Sequence, residues 1–208
     1  MKGALFIISA PSGAGKTSLV KSLVEQISNL IISVSYTTRL PRPDEVDGKS
    51  YHFIDEATFQ EIKGQDLFLE YACVFDNHYG TSREWVENKL IAGTNIILEI
   101  DWQGAEQVSK QIDSSISIFI LPPSFRSLQE RLSGRGEDEE LVDRRMRDAK
   151  KELSHHKEYD NIVINDEFET AFRELKGIIN EKKRNYRTNK AYFDGLVGDL
   201  LEQMANIQ

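Results

Sequence analysis

The residues best suited to chemistry lie near the start of the chain, in a glycine-rich segment that ends in lysine and threonine. This segment spans residues 10–17 and reads, in order, Ala10, Pro11, Ser12, Gly13, Ala14, Gly15, Lys16 and Thr17. It fits the pattern G-x-x-x-x-G-K-[ST], except that alanine replaces the first glycine. Glycines let backbone N–H groups turn inward around an anion, and a helix that begins there points its positive end at the same anion. The segment, called the P-loop below, is therefore predicted to bind the phosphates of a nucleoside triphosphate.

The lysine and the hydroxyl at the end of the P-loop have separate chemical roles in such a site. Lys16 is predicted to neutralise the β- and γ-phosphates, and the Thr17 hydroxyl is predicted to ligate Mg²⁺. The alternative is a glycine-rich turn that binds nothing. An apolar strand directly before the loop and an amphipathic helix directly after it favour the phosphate site.

Two carboxylates, Glu99 and Asp101, lie at the end of the apolar run at residues 95–100. Ligands of α/β proteins bind at the carboxyl ends of the strands, so one of these carboxylates could hold Mg²⁺ through water. Asp101 also suits the N-cap of the helix that follows, and the two roles are compatible. Together with the P-loop, these residues predict a site for a magnesium-bound nucleoside triphosphate.

Short apolar runs alternate with helical patterns along much of the chain. The runs are typical of strands buried on both faces and comprise residues 4–9, 31–35, 95–100, 115–121 and 161–164. Apolar residues at helical spacing separate most of them, as in residues 16–28 and 102–111. This order predicts a three-layer α/β fold with a central parallel sheet and right-handed crossovers. A last amphipathic helix after residue 189 is expected to pack on the outer layer of the sheet, with a subunit contact as the alternative.

Two stretches interrupt this alternation. Residues 36–83 contain a proline- and arginine-rich loop, short strands and a helix opened by Asp55, which together predict a small α+β insertion. Residues 126–152 carry many arginines and lysines among acids around a Gly-Arg-Gly turn, which suits a mobile helical lid. A solvated helical face is the alternative for this second stretch. The core is then formed by residues 1–35, 84–125 and 153–208.

The loop at residues 35–43 presents two arginines, Arg39 and Arg42, among two prolines and two threonines. Guanidinium groups bind phosphate oxygens bidentately, and prolines reduce the entropy lost when a loop becomes ordered. Tyr51 and Tyr79 could add hydroxyl donors to the same phosphate. An ordinary surface loop is the alternative.

Glu70 lies in an alternating strand at residues 67–75, on the same face as Phe68, Ala72 and Val74. A carboxylate among apolar neighbours needs partners, because an unpaired buried charge costs several kcal/mol. Guanine is a suitable partner, since its N1–H and N2–H₂ groups offer two parallel donors, whereas adenine presents an acceptor at N1. The alternative is a solvated carboxylate on an exposed edge. Cys73, on the opposite face, is expected to be a small core residue.

Composition and charge exclude several classes of protein. The chain has 208 residues, a size suited to one core with a small inserted lobe. A formal net charge of −8 disfavours a nucleic-acid binder with a broad basic surface, and a single cysteine excludes an internal disulfide or a multi-cysteine metal site. The four histidines have no metal-ligand spacing. The sequence contains no apolar run long enough to span a membrane, and cleavage of a signal peptide after Ala10 would cut into the P-loop, so we expect a cytoplasmic protein.

Eight motifs, taken in order, carry a resemblance to a known family. They are SAPSGAGKT, SVSYTTRLPRP, EVDGKSYHF, LEYACVFDNHYGT, LEIDWQG, FILPPS, RLSGRG and IVIND. Over residues 4–185 the chain resembles guanylate kinases, specifically the bacterial enzymes. The resemblance implies a P-loop core, a GMP-binding insertion at residues 36–83 and a lid at residues 126–152. It further implies the Mg²⁺-dependent reaction ATP + GMP ⇌ ADP + GDP, by direct in-line transfer.

The resemblance also implies roles for individual residues. Those expected to contact guanine are Ser35, Glu70, Thr81 and Asp101. Those expected to hold the GMP phosphate are Arg39, Arg42, Tyr51 and Tyr79. In the lid, Arg131 and Arg135 would reach the ATP phosphates and adenine, Arg145 would join them on the transferring group, and Asn165 would lie near adenine. Arg144 and Arg147 are alternatives to Arg145.

Two other readings share the same fold. One is a guanylate-kinase-like binding module without activity, which the intact Gly15-Lys16-Thr17 and the arginine-rich lid disfavour. The other is a sister P-loop kinase for another small phosphorylated acceptor, which would differ in the set Ser35, Glu70 and Thr81. The sequence leaves open whether dGMP is accepted and whether the chain is a monomer or a homo-oligomer.

Overall fold

The computed structural model describes residues 2–134, 139–182 and 189–205, with the backbone alone for residues 139–141. In chain order its elements are β1 (Leu5–Ser9), α1 (Lys16–Gln26), β2 (Leu30–Ile32), β3 (Tyr36–Thr37), β4 (His52–Phe53), α2 (Glu56–Gly64), β5 (Phe68–Val74), β6 (Asn77–Ser82), α3 (Arg83–Ile91), β7 (Asn95–Glu99), α4 (Trp102–Gln111), β8 (Ile116–Leu121), α5 (Phe125–Ser133), α6 (Glu139–Ser154), a 3₁₀ helix (His156–Glu158), β9 (Asn161–Ile164), α7 (Phe168–Glu181) and α8 (Lys190–Met204). Two compact units emerge, one within Met1–Leu5 and Asn29–Ser115 and the other within Phe6–Ser28 and Ile116–Gln208.

The second of these units, called the P-loop unit below, contains a parallel arrangement of β1, β8 and β9. Phe6 pairs with Ile116, and Ile118 pairs with Asn161, in parallel register. Every residue of β1 and β8 is buried. Because consecutive residues of a strand point to opposite faces, both faces of these strands are buried and need apolar side chains, as the uninterrupted apolar runs predicted.

The first unit, called the acceptor unit below, contains a parallel pair and a separate four-stranded sheet. In the pair, Leu30 of β2 is registered with Asn95 of β7. The four-stranded sheet has the order β4-β3-β6-β5, with antiparallel pairing between β3 and β6 and between β5 and β6. Asp55 accepts a 2.8 Å hydrogen bond from the Thr58 N–H and caps α2, which confirms the helix start predicted there.

The strand predicted at residues 31–35 is shorter in the structure, where β2 ends at Ile32. Ser33 still donates its N–H to the Ile97 carbonyl at 3.0 Å, but two residues later the Ser35 carbonyl accepts from the His52 N–H at 2.9 Å. The chain therefore leaves the parallel pair and enters the four-stranded sheet within residues 33–35. An apolar run cannot reveal this change of sheet, because residues in both locations are partly buried.

The C-terminal helix α8 buries Phe193, Val197, Leu200 and Met204. Its main contacts are with α5 and α6 of the same unit, so it packs on other helices rather than directly on the sheet. Leu196, next to Val197, is only half-buried. Among the described helices, none combines the length and the apolar character that a membrane crossing requires.

Candidate functional site

The P-loop joins the end of β1 to the start of α1. Gly13 has a φ of 91° and Gly15 a φ of 88°, a backbone conformation that residues with a side chain rarely adopt. Between them, the Ala14 N–H donates to the Pro11 carbonyl at 3.0 Å and closes a tight turn. Gly15 is the N-cap of α1, so the helix begins at Lys16, where the motif predicted it.

Two side chains from distant parts of the chain bind the P-loop backbone. The Asn165 amide donates to the Ala14 carbonyl at 2.7 Å, and the Glu152 carboxylate accepts from the Ser12 N–H at 3.2 Å. Asn165 is buried, and a side chain added at Gly15 would overlap its amide. Asn165 was expected near adenine; in the structure its amide bonds to the loop itself. Sequence reasoning missed Glu152, because nothing in its local pattern indicates a partner 140 residues away.

The arginines predicted in the lid differ in their surroundings. Arg131 donates from Nη2 to the Asn165 carbonyl at 3.1 Å, and its Nη1 is buried without a hydrogen-bond partner among the described residues. Arg145 is 8% exposed, whereas Arg144 and Arg147 are exposed. Of the three candidates left open by the sequence, Arg145 is thus the one whose side chain is directed into the protein. Arg135 lies outside the described residues.

A second cluster of predicted residues lies in the acceptor unit around Glu70, which is only 2% exposed. The Thr81 hydroxyl donates to the carboxylate of Glu70 at 2.5 Å, and the Ser35 and Thr81 hydroxyl oxygens are 3.3 Å apart. Burial raises the pKa of Glu70 to about 7; the hydrogen bond from Thr81 opposes this shift and the nearby charge of Asp101 adds to it. The solvated-edge alternative for Glu70 is therefore wrong.

Asp101 caps helix α4, as one of its two proposed roles required. Its Oδ1 accepts from the Gly104 N–H at 3.0 Å and its Oδ2 accepts from Gln103 Nε2 at 2.8 Å. Gly104 also lies against the carboxylate of Glu70, where an added Cβ would overlap Oε2. Glycine is required at this position because the helix backbone and the buried carboxylate approach so closely.

Arg39 is held by a carboxylate that sequence reasoning missed. Its guanidinium donates to both carboxylate oxygens of Glu45, at 2.9 Å and 2.7 Å, and this pair holds the pKa of Glu45 below its usual value. The guanidinium carbon also lies 5.4 Å from the centre of the Tyr51 ring, which in turn lies 5.8 Å from that of Tyr79. Arg39, Tyr51 and Tyr79 are thus brought together. The exposed Arg42 approaches them through its backbone, since its N–H donates to Glu45 at 2.8 Å.

In strand β5 the face that carries Glu70 is buried, and the position predicted for Cys73 differs from the structure. Phe68, Glu70 and Ala72 are buried, whereas Tyr71 and Cys73 are exposed. The prediction that Cys73 is a core residue is therefore wrong. Both faces of the strand carry apolar residues, so alternation alone could not identify the inner one.

The histidines show no metal-binding arrangement. Among the described residues, no group of His, Cys, Asp and Glu is placed to hold a metal ion. His156 is buried, with its Nε2 3.0 Å from the Asp194 carboxylate, which links the 3₁₀ helix to α8.

Comparison with known proteins explains why these two clusters occur in one chain. A sequence model described as guanylate kinase matches residues 2–182. The chain belongs to the guanylate kinase family. The resemblance inferred from the eight motifs is therefore confirmed, and it covers both the P-loop and the cluster around Glu70.

Relatives named guanylate kinase cover nearly the whole chain. The protein from Chromohalobacter salexigens is 48% identical over 208 residues, covering all of this chain and 97% of its own. The Escherichia coli protein is 47% identical over 203 residues, covering 96% and 98%. The crystal structure of guanylate kinase from Anaplasma phagocytophilum superposes with a TM-score of 0.74 at 31% identity, covering 88% of this chain and 87% of that one. These matches confirm the predicted α/β fold with a central parallel sheet.

Proposed function

We propose that this chain transfers the γ-phosphoryl group of ATP to GMP, giving ADP and GDP. The observation that carries the proposal is the buried Glu70 carboxylate with Thr81 on one side and Asp101 nearby, in a chain of the guanylate kinase family with an intact P-loop. A buried carboxylate offers two acceptors to the N1–H and N2–H₂ edge of guanine, and adenine cannot supply that pair of donors.

On the acceptor side, recognition is divided between base and phosphate. The residues proposed to contact guanine are Ser35, Glu70, Thr81 and Asp101. Those proposed to hold the GMP phosphate are Arg39, Arg42, Tyr51 and Tyr79. Glu45 binds the Arg39 fork as a phosphate would, which supports this assignment because carboxylate and phosphate present similar paired oxygens to a guanidinium.

On the donor side, we assign phosphate binding to the amides of residues 10–17 and to Lys16. Arg131, Arg135 and Arg145 are proposed to spread compensating charge over the transferring group, with Asn165 supporting both the loop and the adenine. The acceptor oxygen of GMP is already anionic near neutral pH, so the reaction needs no general base. The residues instead position the two phosphates in line and stabilise the transition state.

Mg²⁺ fits the donor set that the chain offers. Thr17 is an exposed residue in the first turn of α1 and carries a hydroxyl, and Glu99 or Asp101 could act through water; these are the oxygen ligands that Mg²⁺ prefers. When bound, the ion would neutralise charge on the phosphates of ATP.

The domain assignment remains part of the proposal. Residues 1–35, 84–125 and 153–208 would form the core, residues 36–83 the GMP-binding insertion and residues 126–152 the lid. Closure of the lid and the insertion would exclude water, which otherwise would accept the phosphoryl group. We propose a cytoplasmic location, in line with the expectation from the sequence.

The deciding experiment is a coupled assay of ADP release with ATP and Mg²⁺. GMP, dGMP, AMP, CMP and UMP are compared with a control without acceptor, and EDTA tests the need for the ion. We expect fast turnover with GMP and turnover near the background with AMP, CMP and UMP. Turnover on a different base would overturn the assignment of Glu70, and GMP binding without turnover would favour a binding module.

A further inference from the structure

Helix α4 presents a row of glutamines to the edge of the four-stranded sheet. Gln103, Gln107 and Gln111 are spaced four residues apart, which places their side chains on one face of the helix. They lie against β5, the last strand in the order β4-β3-β6-β5. Because β5 is an edge strand among those the structure describes, the backbone groups on its outer side need partners other than a strand.

The glutamine side chains supply those partners at every second residue of β5. Gln107 bonds to Tyr71 in both directions, accepting from its N–H at 3.2 Å and donating to its carbonyl at 2.7 Å. Gln111 donates to the Leu69 carbonyl at 2.9 Å. A longer contact of 3.4 Å joins Gln103 Nε2 to the Cys73 carbonyl. Gln107 thus bonds to Tyr71 as a residue of a neighbouring strand would.

The spacing of the contacts follows from helix and strand geometry. Four residues of a helix rise about 6 Å. Two residues of an antiparallel strand rise about 6.8 Å. The two repeats therefore match closely enough for three successive contacts. The helix runs antiparallel to the strand. We call Gln103, Gln107 and Gln111 the glutamine ladder.

Each amide of the ladder is also fixed by a second partner. Nε2 of Gln107 donates to the Gln103 carbonyl at 3.1 Å, and Nε2 of Gln111 donates to the Gln107 carbonyl at 3.2 Å. The oxygen of Gln111 accepts from Arg83 Nη1 at 2.8 Å, which sets the orientation of that amide. The side-chain amides of Gln107 and Gln111 are thus oriented by bonds to β5 and by bonds to other residues.

The ladder connects the two elements that carry the proposed guanine-reading carboxylates. Glu70 lies on β5 between Leu69 and Tyr71, both of which the ladder binds through their backbones. Asp101 starts α4, and Gln103 donates to it directly at 2.8 Å. Gly104, the next residue of α4, touches the carboxylate of Glu70. A shift of β5 along α4 would change the position of Glu70 relative to Asp101.

We propose that the glutamine ladder sets the relative position of Glu70 and Asp101, and that Gln107 is a positioning residue for the discrimination of GMP from AMP. This inference rests on the proposed function, because it concerns how the same base site is held. The competing explanation is that the ladder merely covers an edge strand and adds stability. The two explanations differ in whether substrate discrimination changes when a folded variant lacks Gln107.

The test uses Gln107→Leu in the full chain, which keeps the size of the side chain and removes both bonds to Tyr71. Gln60→Leu is the matched control, because the exposed Gln60 donates to Glu56 within α2 and does not bond to β5. Steady-state kinetics give kcat and KM for GMP, AMP and ATP. Amide hydrogen exchange of Tyr71 reports the lost bond independently of activity.

We expect Gln107→Leu to lower the ratio of kcat/KM for GMP over AMP about tenfold, through a higher KM for GMP. The KM for ATP should change less than about twofold, because the bonds of Gln107 are to Tyr71 and Gln103 and not to the P-loop. Exchange at the Tyr71 amide should become about tenfold faster. Gln60→Leu should leave all these quantities at the values of the unmodified chain.

A double-mutant cycle with Glu70→Gln separates positioning from general stability. If the ladder acts through Glu70, adding Gln107→Leu to Glu70→Gln should change the GMP-over-AMP ratio less than about twofold. Additive effects would overturn the inference, as would an unchanged ratio in a folded Gln107→Leu with faster exchange at Tyr71. If Gln107→Leu does not fold, Gln107→Glu takes its place. This variant keeps the acceptor for the Tyr71 N–H and removes the donor to the Tyr71 carbonyl, and the ratio of kcat/KM for GMP over AMP is again the test. A parent chain that does not prefer GMP over AMP would instead overturn the proposed function.

Discussion

The Thr81 hydroxyl donates a 2.5 Å hydrogen bond to the carboxylate of Glu70 across two paired strands, and both side chains are buried. The partners are registered opposite each other, next to an irregularity in β5 between Phe68 and Glu70. The bond stabilises the ionised form of Glu70, whereas burial and Asp101 oppose it, so the pKa settles at about 7. The group proposed to read guanine therefore changes its protonation near neutral pH.

Glu70→Gln should reduce discrimination between guanine and adenine. The amide keeps the size of the side chain but replaces one acceptor with a donor, which then faces a donor of guanine. We expect kcat/KM for GMP to fall about 100-fold, since each bond to a charged group contributes about 1.5–3 kcal/mol, while kcat/KM for AMP stays within a few-fold. The coupled assay measures both. An unchanged GMP-over-AMP ratio would show that another residue reads the base.

The protonation of Glu70 should appear in the pH profile of GMP use. Only the ionised carboxylate offers acceptors to both guanine donors, so kcat/KM for GMP should rise as pH increases through about 7. The GMP phosphate also ionises near pH 6. The pH profile of kcat/KM in Glu70→Gln shows the contribution of the phosphate alone and allows it to be subtracted. A step near pH 7 that persists unchanged in Glu70→Gln would assign the titration to a different group.

Stability should depend on the same group with the opposite trend. A pKa raised in the folded state means that the folded chain binds the proton more tightly than the unfolded chain, so this contribution is fully present below pH 4.5 and is lost as pH rises through about 7. Its full size is about 3 kcal/mol. The free energy of unfolding of Glu70→Gln, relative to that of the unmodified chain, should therefore increase as pH rises from 5 to 8, as measured by urea unfolding. A difference that is constant with pH would contradict the shift.

Asn165→Ala should weaken ATP binding by loosening the P-loop. The substitution leaves the Ala14 carbonyl without its 2.7 Å partner, and we expect KM for ATP to rise about tenfold with little change in KM for GMP. Inhibition by tripolyphosphate, which has no adenine, should weaken in parallel if the effect passes through the loop. Asn161→Ala is the control, because Asn161 is a buried asparagine at the start of β9, the strand that ends just before Asn165, and donates to the Ser117 carbonyl. If binding of ATP weakened and inhibition by tripolyphosphate did not, Asn165 would act on the adenine and not through the P-loop.

Lys16→Met should affect the chemical step more than binding of the acceptor. The ammonium is proposed to stabilise charge on the transferring group, so kcat should fall about 100- to 1,000-fold while KM for GMP changes little. Lys21→Met, at an exposed position on the same helix, serves as the control. Equal losses in kcat and in GMP affinity would argue against a role for Lys16 in the transition state.

Much of the candidate site was predictable because its signals are local. The P-loop was identified from eight consecutive residues, and the start of α2 from the capping preference of Asp55. The contacts that hold these segments were not predictable, because their partners are remote: Glu152 binds Ser12, and Gln107 binds Tyr71. Cys73 was correctly placed on the face opposite Glu70 but was expected in the core, because both faces of β5 carry apolar side chains and alternation does not show which of them is buried.

The sequence by itself determined the class of fold, the P-loop and the family, since these depend on residue types at short, fixed spacings. Tertiary structure alone decided that Glu70 is buried against Thr81 and Gly104, that Glu45 holds the fork of Arg39, and that α4 pairs with the edge of β5 through glutamines. The physical reason is that the burial and charge state of a side chain depend on which distant segments the fold packs around it, and a one-dimensional pattern does not contain that information.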